Sequence, residues 1–443
     1  MSRLLGGLFI LIALAGQALA NGRAPGSSTI NFQRGNESHI AAGMTFGVVL
    51  TEDNGATWSW MCEEAIGYGG TYDPDYAFTP TGSIFATTFD GLKVNRDGCV
   101  YDGSVLSPSA PVKFFSAVTV ATDGTIYAAN TDDLDGKIYK STDDGASFPV
   151  GVTIPDSVKT WWQSLESAPS SPQVVYLFGY RFTAGQPKQF FMLRSGDAGV
   201  TYTPLPGSGT DTPNGIAVMS SSVIEIAAIS KSDPNLVYAR VTLSDNAISD
   251  ALYRSTNGGQ SWTKILELQG SIAFVVRGNG DIVAGTQAKG SFVSTNQGGT
   301  GVIGTDWTPL AGAPHINCLG ENSAGEVWAC TQNYGEAPNT DSFGIMKTTD
   351  LTNWTGVLKF QDLKEPRACP AGTVQKDKCD STLWCGLCAQ LGCDANRECP
   401  GDPVPDGTLQ VEPGGCCSTG SDGLPGLLVL GIAVAMVSLR RRR

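Results

Sequence analysis

Histidine is almost missing from this 443-residue chain: His39 and His315 are the only two. No HExxH zinc helix is possible, and no Ser-His-Asp or Cys-His set assembles around them. Lacking partners nearby in sequence, each reads as a structural or solvent-exposed residue rather than a ligand. Positive charge is also short: 29 Lys and Arg stand against 42 Asp and Glu, a net charge of −13. Between the two ends, residues 21–423 carry −18. A surface of that sign argues against nucleic acid and anionic lipid as partners. Charged residues make up only 16% of the chain, and no long apolar stripe at helical spacing runs through its body, which argues against a helical fold. No cofactor-binding motif and no metal-ligand set emerges.

Glycine, by contrast, is abundant at 55 residues, as many short strands and tight turns require. One pattern recurs: S/T-x-D/N-x-G-x-S/T-aromatic. It fits Thr51–Trp58, Ser141–Phe148, Ser195–Tyr202 and Ser255–Trp262, with Asp53, Asp143, Asp197 and Asn257 at the acidic position. Three looser copies centre on Asp97, Asn296 and Asp350; Cys99 replaces the glycine in the first, an insertion precedes Trp307 in the second, and the third lacks the glycine. The chemistry is that of a hairpin turn: the Asx side chain accepts hydrogen bonds from following backbone N–H groups, and glycine supplies positive φ. Strand-like runs precede the copies, as in Phe46–Leu50, Lys137–Lys140 and Phe190–Arg194.

The pattern resembles the Asp-box (BNR) repeat of sialidase-like β-propellers. That resemblance implies a turn between the third and fourth strands of each blade, on the outer rim and away from the ligand funnel, with a structural role. Seven copies, spaced 39 to 60 residues apart, imply seven blades of about 40–50 residues each. The expected fold is all-β: a seven-bladed β-propeller of four-stranded antiparallel blades over residues 21–360. Blade one is expected as Thr29–Gln33, His39–Ala42, Phe46–Leu50 and Trp58–Met61. The wider spacings point to extended loops near Thr183–Lys188 and Ser244–Asp250.

The ends differ from the body. Arg3, the apolar run Leu4–Ala15 and Ala18-Leu19-Ala20 read as a secretory signal peptide over residues 1–20. At the other end Cys416-Cys417 precedes the apolar Leu424–Leu439 and then Arg440–Arg443. The order resembles the MYXO-CTERM sorting signal of myxobacterial surface proteins, which implies processing near the Cys pair and retention at the envelope; a plain C-terminal tail anchor is the alternative. Residues 403–423 read as a linker with the sorting motif, and 424–443 as a transmembrane helix with its Arg cluster.

Six cysteines, Cys369, Cys379, Cys385, Cys388, Cys393 and Cys399, crowd residues 361–402. In an exported segment they read as a small module with three disulfides; a zinc site on Cys385-Gly386-Leu387-Cys388 is the alternative. Ser381–Leu391 is expected as a short helix capped by Asp380 or Ser381 and ended by Gly392. Cys318 and Cys330 straddle a turn centred near residue 324, opposite each other in a hairpin. Cys62 and Cys99 lie on neighbouring blades, and a bridge between them is expected.

For catalysis the sequence offers little, and no catalytic residue is assigned. The resemblance to sialidases implies an arginine triad, but none of Arg34, Arg96, Arg181, Arg240, Arg277 and Arg367 sits in the Arg-Ile-Pro motif of that family. Asp73, Asp75, Glu166 and Glu225 are carboxylates near expected strands, and Trp161-Trp162 offers a stacking surface or core packing. The expected function is non-catalytic binding or surface scaffolding by an envelope-anchored propeller, its partners the membrane through the anchor and a carbohydrate or envelope protein. The alternative is a glycoside hydrolase of the sialidase-like or xyloglucanase-like propeller type. A third reading, an assembly factor for a membrane complex, rests on fold analogy.

Overall fold

From Ser27 onward, short strands alternate with Gly- and Asp-rich turns, and the computed structural model folds them into seven antiparallel sheets of four consecutive strands each. The structure describes residues 24–70, 72–102, 114–131, 136–149, 151–154, 158–243, 249–288, 290–335, 339–394 and 399. Blade one is Ser27–Phe32, Ile40–Met44, Gly47–Thr51 and Ser59–Met61, close to the expected strands. The first strands of the blades are Ser27–Phe32, Tyr76–Phe78, Phe115–Val120, Thr160–Ala168, Ile224–Ile229, Ala273–Val276 and Cys318–Glu321. Each neighbours the next, and the last meets the first, so together they ring a central axis. Second strands such as Ile40–Met44, Ile126–Asn130 and Val327–Cys330 are buried throughout. Covered on both faces, they read as continuous apolar and small-residue runs instead of alternating.

Every copy of the recurring turn joins the third and fourth strands of its blade. In the third blade Ser141 Oγ donates to Asp143 Oδ1 at 2.6 Å and accepts the Gly145 N–H at 2.9 Å. Asp143 then accepts the Ser147 N–H at 3.0 Å and its hydroxyl at 2.5 Å. Thr51–Thr57 and Ser195–Thr201 repeat this set. The glycine does more than supply positive φ. A Cβ on Gly145 would lie 2.4 Å from Phe85 of blade two, and one on Gly199 would lie 2.8 Å from Tyr127 of blade three. The turn is therefore a close contact with the preceding blade as well as a hairpin. In blade six the insertion supplies a substitute: Asp306 accepts from Thr300 N and Asn296 Nδ2 at 2.9 and 2.8 Å.

Between Arg181 and Gln189 the hairpin of blade four is long, its strands running Ser171–Arg181 and Gln189–Ser195. Of the loop expected over Ser244–Asp250, residues 244–248 lie outside the described residues, and Ser249 and Asp250 open the third strand of blade five, Ser249–Ser255.

The cysteines depart most from expectation. Cys318 bonds Cys330, directly opposite in register. Cys62 does not bond Cys99: Cys62 bonds Cys379, and Cys99 bonds Cys369. The reason is the segment after the last blade, which crosses back over blade one. Pro366 bridges to Trp60, the Arg367 N–H donates to Trp60 O at 2.8 Å, and the Gln375 side chain donates to the same carbonyl at 2.8 Å. This places Cys369 and Cys379 at the two blade cysteines, so three disulfides internal to the module do not form. Cys388 bonds Cys393, and Cys385 and Cys399 are also disulfide-bonded; as bridged sulfurs, Cys385 and Cys388 are not thiolate ligands for zinc.

The helical part begins earlier than expected, as a π-helix over Gln375–Leu383 continuing into the α-helix Trp384–Leu391. Asp380 and Ser381 therefore lie inside it; the Thr373 hydroxyl accepts the Lys376 N–H near its start, and Gly392 ends it at φ 71°. Trp384, Cys388 and Leu391 share a core with Trp60 and Met61 of blade one and with Ile66, which follows it. No helix among the described residues is long and apolar enough to cross a membrane. The expected signal peptide 1–20, span 424–443, and Cys416 and Cys417 lie outside the described residues.

Candidate functional site

Three of the four candidate carboxylates lie together where the blades converge on the axis. Asp75 precedes the first strand of blade two, Glu166 lies on that of blade four, and Glu225 on that of blade five. Asp73 is exposed. Asp75 Oδ2 accepts the Val118 N–H of blade three at 3.0 Å. Glu166 Oε2 accepts the Thr119 hydroxyl of blade three at 3.3 Å. Glu225 is ion-paired with Arg240 and accepts from Gln163 of blade four at 3.4 Å.

A fourth acid, Asp250, was not singled out in the sequence. It is 1% exposed and accepts the Ile272 N–H at 2.9 Å, while Arg240 Nη1 donates to Ile272 O at 2.6 Å. Its only sequence signal is an Asp opening the strand-like run Ala251–Arg254. Each carboxylate thus spans a seam: blades two to three, four to three, four to five, and five to six.

The electrostatics of this group are strongly perturbed. Burial, with the Asp75 charge adding to it, pushes the Glu166 carboxyl up to about 8. Burial raises Asp75 to about 6, partly opposed by hydrogen bonds from the Val118 and Tyr76 N–H groups. For Arg240, burial acts to lower the pKa, but Glu225 and Asp250 outweigh it and hold the guanidinium charged. Both carboxyls thus lie above the ordinary carboxylate range, Glu166 further than Asp75.

The other candidates scatter. His39 Nδ1 lies 2.8 Å from Gln33 Oε1, its ring edge-on to Phe78 of blade two. His315 Nδ1 lies 2.9 Å from Asp341 Oδ1, an unforeseen partner that also accepts the His315 and Gln332 N–H groups. Trp162 is fully buried against Phe191, and Trp161 is half-buried. The arginines form no triad. Arg34 donates to Ala121 O, Arg96 to Asp144 O, Arg181 to Gln189, Arg277 to Glu321 and Arg367 to Gly98 O. Lys231, Arg277, Asn279 and Ser323 also line a pocket of about 410 Å³ where blades five to seven meet. Among the described residues no group of three or more His, Cys, Asp or Glu is arranged to hold a metal ion.

No family model and no curated protein matches the chain. Among solved structures, it is similar to a protein of unknown function from Dyadobacter fermentans DSM 18053, at 12% identity over 70% of this chain and 91% of that one, with a TM-score of 0.38. It is similar to the GH74 xyloglucanase from Xanthomonas campestris at 14% identity over 78% of this chain and 65% of that one, with a TM-score of 0.35. YCF48 from Cyanidioschyzon merolae shares 13% identity over 69% of this chain and 95% of that one, with a TM-score of 0.40. Similarities this distant carry nothing about activity. The class is defined by the sheets themselves: an all-β, seven-bladed propeller of four-stranded blades, tied by disulfides.

Proposed function

We propose that this protein is an exported, envelope-attached propeller that binds its partner without cleaving it. The observation that carries this reading is the use made of the four carboxylates at the seams. Asp75, Glu166, Glu225 and Asp250 each accept a hydrogen bond from a neighbouring blade. A carboxylate fixed by a backbone N–H or an arginine holds the ring together, whereas a hydrolytic pair must face a substrate. The partner is a carbohydrate or an envelope protein. Ten disulfide-bonded cysteines support an oxidising compartment. Attachment rests on Cys416-Cys417, the apolar run Leu424–Leu439 and the Arg cluster. Deleting residues 414–443 is expected to release the protein into the medium; a truncated protein still held by the envelope fraction would refute anchoring. Full-length protein on an immobilised glycan array, with purified envelope proteins alongside, is expected to show saturable binding to one class. Binding to neither would refute the reading.

A second reading, a glycoside hydrolase, is favoured by one observation. Glu166 and Asp75 both reach blade three near the axis, and burial raises Glu166, to about 8, further than Asp75, to about 6; two neighbouring carboxyls of unequal acidity are what acid–base glycoside hydrolysis uses.

A further inference from the structure

A propeller must close a ring whose first and last blades share no covalent link. Here each sheet is built of four consecutive strands, so no strand is exchanged across the seam between blade seven and blade one. That seam holds through local contacts. Ser27 Oγ donates to Gly344 O at 2.7 Å, and the Ser323 N–H donates to Glu37 at 2.7 Å. Phe32 meets Trp328 edge-on at 5.8 Å, and Phe46 meets Phe360 at 5.4 Å.

The segment from Leu363 to Cys393 runs past the seam. It pairs with Trp60 at the outer edge of blade one and covers an edge that would otherwise be open. Gln375 caps that edge with both ends of its side-chain amide, donating to Trp60 O and accepting the Cys62 N–H at 3.3 Å. The Trp384 ring lies 5.7 Å from that of Trp60. Arg367 reaches on to blade two, donating to Gly98 O at 2.8 Å, and to Glu52 of blade one at 2.7 Å. Two nested disulfides then fix it, Cys62–Cys379 around Cys99–Cys369, with sequence separations of 317 and 270.

We propose that residues 363–393 are a redox-formed clasp: the ring is locked only when both nested bridges have formed, so the chain exists as an open-seamed form with four thiols and a closed form with two disulfides. For each bridge, one cysteine thiolate attacks the disulfide of an exchange-active protein oxidant and displaces one of its sulfurs as thiolate. The second cysteine thiolate attacks the mixed disulfide, and the oxidant leaves as a dithiol carrying the two electrons. The two protons lost by the cysteine thiols end on the two sulfurs of the oxidant's dithiol. The nested order matters because Cys62 and Cys99 precede their partners by 317 and 270 residues. In the unfolded chain the much shorter Cys62–Cys99 loop is entropically the easier to close. The native pairs prevail only after the blades have folded and Pro366, Gln375 and Trp384 have docked, so maturation includes an isomerising exchange step that removes a Cys62–Cys99 bridge.

Hydrogen exchange on the full-length oxidised protein tests this. Replacing Cys62, Cys99, Cys369 and Cys379 together by Ala is expected to raise exchange at Ser27–Phe32 and Cys318–Glu321 by roughly tenfold or more, while Thr160–Ala168 stays as it was. A C388A/C393A variant is the control and leaves the seam unchanged. Because the fourfold variant can fail to fold, a protease site inserted at the exposed Lys364–Glu365 and cut after folding severs the clasp from blade seven with every bridge intact. The same seam-specific rise is expected. A cut protein that exchanges at the seam like the uncut one overturns the proposal. Refolding of reduced chain under strong oxidant is further expected to trap Cys62–Cys99, detected by non-reducing peptide mapping, and absence of that species overturns the isomerising step.

Discussion

Ser195 shows what one hydroxyl does in the recurring turn. It is 1% exposed, donates to Asp197 at 2.8 Å and accepts the buried Gly199 N–H at 2.9 Å. Ser195→Ala leaves that N–H without a partner and is expected to cost about 1–3 kcal/mol in urea unfolding; an unchanged midpoint would deny the hydroxyl this role. Glu166 makes a second prediction, through pH. Its folded pKa of about 8 lies above the ordinary 4.5, so the folded state holds a proton the unfolded chain has lost. Stability therefore falls as pH rises from about 5 to 8, and Asp75 acts in the same direction. Asp143 and Asp197 sit near 2, below the ordinary 3.8, so the stability they give is present above that value and is lost as pH falls towards 2. Glu166→Gln is expected to flatten the decline between pH of about 5 and 8 in thermal unfolding. A variant that declines as steeply as wild type would mean that Glu166 is ionised in the fold.

At the scale of elements, the seams between blades decide the architecture. Asp250 and Arg240 tie blade five to blade six through both the N–H and the C=O of Ile272. Asp250→Ala removes the acceptor of a buried N–H and is expected to cost about 1–3 kcal/mol, read by chemical denaturation; a loss within experimental error would leave Arg240 as the whole tie. Blade number and strand order were legible in the sequence because each turn carries its own local chemistry: Asp for the N–H groups, Gly for the positive φ. What that pattern did not convey is that Gly145 and Gly199 also touch the preceding blade, since a contact across a seam leaves no local signature. The Cys318–Cys330 bridge was legible because both residues lie in one hairpin. Cys62 and Cys99 misled because their partners lie hundreds of residues away, on a segment whose return path is set by Trp60, Gln375 and Trp384 packing. Asp75, Glu166 and Glu225 could be named as acids near strands, but their convergence is a property of the closed ring alone.

For the molecule as a whole, polar ties run around the ring. Gln33 donates to Pro80 O between blades one and two, and Arg277 and the Gly278 N–H donate to Glu321 between six and seven. Glu37 receives Ser323 across the closing seam. The four carboxylates at the seams belong to that series, which is why we read them as structural and the protein as a binder. The most direct test is turnover: a panel of oligo- and polysaccharides, incubated with full-length wild type and with Glu166→Gln and followed for new reducing ends. We expect no cleavage by either protein at any pH where both are folded, with any glycan that binds recovered intact. Cleavage by wild type that is lost in Glu166→Gln, while glycan binding is retained, would contradict the binding assignment and establish the hydrolase.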